Sequence, residues 1–87
     1  MYEQSDSTNY PYKAIGVCYN NIGNLHLKNG KYQSAVLNFE AAILKAVEGQ
    51  SKSSASFDYF ERVKAHRRYQ LAIAKYKALK YGRKKNY

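Results

Sequence analysis

Few side chains in this sequence could act on a substrate, and their spacing assembles no reaction. Cys18 is the single cysteine. A thiolate nucleophile needs a base and an electropositive setting, whereas Cys18 falls among apolar residues, where a free cysteine is expected to act as a small core side chain. His66 stands between Lys64 and Arg67-Arg68, a setting that suits a charged surface. No pair of ligands shows metal spacing, and no glycine-rich loop could cradle a phosphate. No enzyme activity, metal or cofactor is expected from these residues.

The stronger chemical signal is charge. Lys and Arg number 15 against six Asp and Glu, a net +9. Residues 1–51 balance: Lys13, Lys28, Lys31 and Lys45 offset Glu3, Asp6, Glu40 and Glu48. Beyond them, eleven basic residues face only Asp58 and Glu61. The basic patch comprises Arg62, Lys64, Arg67, Arg68, Lys75, Lys77, Lys80, Arg83, Lys84 and Lys85, interleaved with Tyr59, Tyr69, Tyr76, Tyr81 and Tyr87. Basic residues along a phosphate backbone with rings for stacking would bind single-stranded nucleic acid nonspecifically. This RNA- or DNA-binding reading is the alternative to protein docking; it is weakened if Tyr69 and Tyr76 belong to an apolar helix face. An acidic protein surface would be attracted equally well.

The elements that must position these groups are helices. The apolar residues Ile15, Cys18, Tyr19, Ile22 and Leu25 recur every three or four positions, which predicts a helix over 12–28. Asn29-Gly30 ends it, with Gly30 suited to the left-handed position after a helix. Tyr32, Ala35, Val36, Phe39, Ala42, Ile43 and Val47 predict a second helix over 31–48, closed by Gly49. The short connection makes the pair an antiparallel hairpin. A serine-rich loop over 49–57 follows. Asp58 and Glu61 resemble a capping box for a third, basic helix over 58–82. Phe60, Val63, Tyr69, Ala72, Ile73, Tyr76 and Leu79 would form its apolar face. Residues 1–11 read as a flexible lead-in and 83–87 as a basic tail. The fold class is all-α, in one domain of 87 residues whose core must be thin. The lone cysteine excludes an intramolecular disulfide. No signal peptide or spanning apolar run is evident, so an intracellular location is expected, cytoplasmic by default and compatible with the nucleus.

The hairpin resembles the tetratricopeptide repeat. The pattern reads Tyr19-x-x-Ile22-Gly23-x-x-His26, then Tyr32, Ala35, Phe39 and Ala42, and covers residues 14–48. Gly23 and Ala35 would be small where the helices cross, with Tyr19 and Phe39 beside them. Tyr19 stands in place of the family's Trp, His26 occupies an aromatic slot, and Val47 occurs where a closing Pro is usual. A looser echo appears at Tyr69-x-x-Ala72-Ile73-x-x-Tyr76. The resemblance implies a short α-solenoid fragment or three-helix bundle that serves protein–protein interaction. It also implies a concave partner-binding groove at Val17, Asn20, Asn24 and Lys28, with Arg67 and Gln70 contributed by the third helix. Arrays of this kind bury their apolar faces against neighbouring repeats, so one repeat plus one helix implies a protein or peptide partner, or a homo- or hetero-oligomer.

Overall fold

The computed structural model describes residues 10–82. The expected lead-in over 1–9 and the tail with Arg83, Lys84, Lys85 and Tyr87 lie outside the described residues. Three helices carry the described chain: α1 (Tyr10–Lys28), α2 (Tyr32–Lys52) and α3 (Phe57–Lys77). A 3-10 turn at Ser54–Ser56 precedes α3, and a π-helical turn at Ala78–Gly82 follows it. No strand occurs among the described residues.

Helix α1 stops because Gly30 takes φ +77°, the left-handed region. The Lys31 amide then donates back to the His26 carbonyl at 2.9 Å, and the Gly30 amide to that of Leu27 at 3.2 Å. These are the paired bonds of a Schellman turn, which satisfies carbonyls that the helix end would orphan. Residue Lys31 lies between α1 and α2 and sends the chain back antiparallel.

Helix α2 is the centre of the molecule, with α1 and α3 packed along it. It presents small residues at both contacts. Ala35, Ala42 and Ala46 are fully buried, as is Phe39. Phe39 sits over Gly23 of α1 so closely that a Cβ there would lie 2.7 Å from the ring. Phe60 of α3 does the same over Gly49 of α2, at 2.4 Å. Each helix crossing is thus a phenylalanine ring seated on a bare backbone, which brings the helices close and maximises contact per residue. Leu27, Leu71 and Ala74 complete the cluster around Ala35, Val36 and Phe39.

Several sequence expectations are corrected. Gly49 does not close α2; it is buried three residues inside its end, because Phe60 needs the missing side chain. The serine-rich loop is mostly helical, since α2 runs to Lys52 and α3 starts at Phe57. The capping box does not form. Ser56 makes no side-chain cap, and Glu61 instead accepts bonds from Gln50 Nε2 and Lys64 Nζ, each at 2.9 Å. The α1 stripe of Ile15, Cys18, Ile22 and Leu25 is exposed, as is Val47 of α2. On α3, Phe60 is buried, but Tyr69, Ala72 and Tyr76 face outward, as does Leu79 in the π-helical turn that follows. The reasons differ between the two helices. On α1 the line of Gly16 and Gly23 faces α2, since only it permits close approach. On α3 the inward line is Phe60, Arg67 and Ala74, because the Phe60 ring seats on Gly49 and the Arg67 stem fills the space beside Gly16.

Candidate functional site

The backbones of α1 and α3 do not pack on one another, so a seam is left between them over α2, crossed only by side chains. Gln70 Nε2 donates to Asn24 Oδ1 at 3.2 Å. The Lys13 ammonium lies 4.7 Å from the centre of the Tyr59 ring, a cation–π contact. Asn20 Oδ1 and Gln70 Oε1 are both buried and accept no hydrogen bond. Two unsatisfied amide acceptors in one seam are a local cost, because a buried acceptor left without a donor costs about 1–3 kcal/mol.

Of the residues expected to line a groove, Val17 and Lys28 are exposed, and Asn20, Asn24 and Gln70 are half-buried between α1 and α3. Arg67 does not line the groove. It is 4% exposed and donates from Nη1 to the Ala42 carbonyl at 2.9 Å. Its guanidinium lies against Gly16, where a Cβ would stand 2.8 Å from Nη1. Gly16 and Ala42 leave a space at the junction of all three helices, and the long arginine stem fills it. Burial pushes the Arg67 guanidinium below its usual pKa, and Tyr59 offsets part of this. Its base strength is high enough that it stays charged at any working pH.

Removing Arg67 alters the basic patch. Arg62, Arg68, Lys75 and Lys80 are exposed, while Lys64 and Lys77 are half-buried. Lys64 pairs with Glu61, and Lys75 lies 3.9 Å from Glu40 of α2. The rings of Tyr69 and Tyr76 stand among them, exposed by 66% and 59%. The tyrosines treated in the sequence as part of the apolar core face are therefore outward.

The sequence reading did not single out Gly16, and it placed Tyr59 with the basic patch rather than against Lys13. Gly16 could have been found, since Gly16 and Gly23 stand seven residues apart, two turns on one face of α1. Cys18 is exposed rather than buried, His66 is exposed and His26 half-buried. No group of three His, Cys, Asp or Glu that could hold a metal ion occurs among the described residues. No described helix is long and apolar enough to cross a membrane.

No family model, curated protein or solved structure matches this chain. The functional reading therefore rests on the seam, the exposed faces and the charge.

Proposed function

We propose that this chain is a non-catalytic protein-docking module of the tetratricopeptide type, holding a protein or peptide partner or completing a larger helical assembly. The observation that carries this reading is apolar surface left uncovered at both ends of the three-helix stack. Ile15, Ile22 and Leu25 of α1 are 41–57% exposed at one end, and Tyr69 and Tyr76 of α3, with Leu79 of the turn after it, are 59–66% exposed at the other. Contiguous apolar stripes of this size on a small domain mark contact surfaces. The seam adds the amides of Asn20, Asn24 and Gln70, a side-chain type that holds a peptide backbone through a donor and an acceptor once the bond between Gln70 Nε2 and Asn24 Oδ1 is exchanged for the peptide. The exposed thiol of Cys18 suits a reducing intracellular compartment, cytoplasmic or nuclear.

The first test is the mass of the purified chain by light scattering, with thermal unfolding over a concentration series. Self-association, or a melting temperature that rises with concentration, would place a second copy on an apolar face. A cooperative monomer leaves the faces for a different protein. A monomer that binds no hydrophobic dye would count against the docking reading.

Nonspecific single-strand binding remains the second reading, supported by the exposure of Tyr69 and Tyr76 beside Arg62 and Lys80. It requires affinity for oligothymidylate that falls steeply between 50 and 200 mM salt, roughly in the manner of several phosphate contacts.

A further inference from the structure

We propose that the outward face of α3 is a docking seam for an acidic amphipathic helix of another protein. The inference rests on the protein-docking reading and names the surface and the partner's chemistry.

The exposed residues Ala65, Tyr69, Ala72 and Tyr76 of α3 follow one another at intervals of four, three and four, and Leu79 of the π-helical turn after it comes three residues further on. That is the spacing of a coiled-coil seam, the arrangement by which one helix seats its side chains between those of another. Large and small residues alternate along it, so a partner's bulky side chains fit over Ala65 and Ala72 while Tyr69, Tyr76 and Leu79 project between them. The seam spans about 21 Å, at about 1.5 Å per residue. At its end, Leu79 and Lys75 border an open cavity of about 310 Å³ that Gln33, Val36 and Ala78 complete. A cavity with mostly apolar walls at the edge of an exposed stripe is where an anchoring side chain of a partner would insert.

Charge selects the partner. Arg68 and Lys75 occupy flanking positions on one side of the seam, with His66 and Lys80 on the other. No acidic residue follows Glu61 in the sequence. The nearest compensation from the packed helix is Glu40 of α2, 3.9 Å from Lys75, with both side chains about half exposed. Residues flanking a helical seam determine which helix pairs with it, so a partner with Asp or Glu at the facing positions is the one selected.

A second copy fits poorly. Of the four acidic residues among the described residues, Glu40, Glu48 and Glu61 already face a lysine, and each copy carries a net +9. Nucleic acid also fits less well. It has no use for Leu79 or the alanines, and Lys80 already lies 5.7 Å from the Tyr76 ring centre and 5.5 Å from that of Tyr81.

The test uses the full chain and a synthetic peptide of 21 residues with Leu at its seam positions and Glu beside them, labelled for fluorescence anisotropy. Its controls are a scrambled peptide of the same composition, a version with Lys for Glu, and oligothymidylate. The Glu peptide should bind at least tenfold more tightly than either control peptide. Tyr76→Ala with Leu79→Ala, and separately Arg68→Glu with Lys75→Glu, should each weaken it at least tenfold. All four residues are exposed, and a thermal melt will confirm that both variants stay folded. Equal binding of the scrambled peptide, or no effect of the Tyr76 and Leu79 changes, would overturn the seam. If Val17→Ser and Asn24→Ala weaken the peptide instead, docking stands but its site is the α1–α3 groove. If oligothymidylate alone binds, the docking reading fails as well. Self-association abolished by Tyr76→Ala would give the face to a second copy and also overturn the proposal.

Discussion

Replacing Gly49 by Ala tests the central packing feature, because two effects of known size pull in opposite directions. In an ordinary helix interior, Ala is favoured over Gly by about 1 kcal/mol, and by that rule the variant would be more stable. Here the new Cβ would stand 2.4, 2.7 and 2.9 Å from three atoms of the Phe60 ring. An unstrained carbon contact needs about 3.5 Å or more, so α2 and α3 must part by roughly an ångström or the fully buried ring must turn. Overpacking of this kind costs about 1–3 kcal/mol. With three ring atoms in violation and Phe60 fully enclosed, we place the cost near the upper end, about 3 kcal/mol. The net loss is then about 2 kcal/mol once helix propensity is subtracted. For a domain of this size that lowers the melting temperature by about 8–16 °C. The assay is circular dichroism at 222 nm, by heat and by urea, on the wild type, Gly49→Ala, Phe60→Leu and the double variant. The ring should account for the cost, so Gly49→Ala should lose less in the Phe60→Leu background, by about 1–2 kcal/mol of coupling. A Gly49→Ala variant that melts higher than wild type, or a cycle with no coupling, would refute the close approach.

Three further predictions concern single residues. Gly30→Ala forces a side chain into φ +77° and should cost about 1–2 kcal/mol, measured as a lower urea midpoint with unchanged slope. Arg67→Met retains the stem that fills the three-helix junction and removes a desolvated charge, so it should stay within about 1 kcal/mol of wild type. Arg67→Ala empties the space and should lose about 2–4 kcal/mol. Equal losses in the same urea series would show that the bond to the Ala42 carbonyl, not the filling, is what matters. Hydrogen bonds from Gln50 and then Lys64 hold the Glu61 carboxyl below its ordinary pKa. A depressed folded pKa adds stability above the unfolded value, about 4.3, and that contribution disappears as pH falls through the folded value. The melting-temperature gap between wild type and Glu61→Gln should therefore be present at pH 6 and close toward pH 3. A gap independent of pH would contradict the assignment.

The turn at Gly30 and the α2 core were legible in the sequence, because each depends on local chemistry. A glycine after a periodic stretch has few other uses, and Ala35, Phe39 and Ala42 recur at helical spacing with Val36 and Ala46 beside them. The orientation of α1 and α3 was not legible. Ile15, Ile22 and Leu25 repeat with the same period as Gly16, Gly23 and Leu27, and periodicity does not tell which line faces inward. On α1, hydrophobicity favoured the larger residues and close approach the smaller ones. Gly49 was misread because a glycine at a helix end and one under a neighbouring ring look alike until the ring is placed. Arg67 was misread because a charged side chain is expected at the surface, and nothing near it in sequence indicates the space between Gly16 and Ala42. Among the groove residues, Asn24 and Gln70 do meet, although 46 positions apart.

The arrangement of α1 and α3 on α2, without direct backbone packing between them, has a consequence for how the molecule opens. Detaching α1 breaks its crossing at Gly23 but leaves the Phe60–Gly49 contact between α2 and α3 intact, so the stack can loosen from one side without global unfolding. Amide protons of α1 should then exchange with solvent at a lower free energy of opening than those of central α2. A ligand seated across the α1–α3 seam would grip both flanks at once and raise the protection of α1 most. Exchange in α1 would thus report on the α1–α3 seam, and slowed exchange there on adding a ligand would register occupancy of that seam, as opposed to the outer face of α3, without any change in average structure.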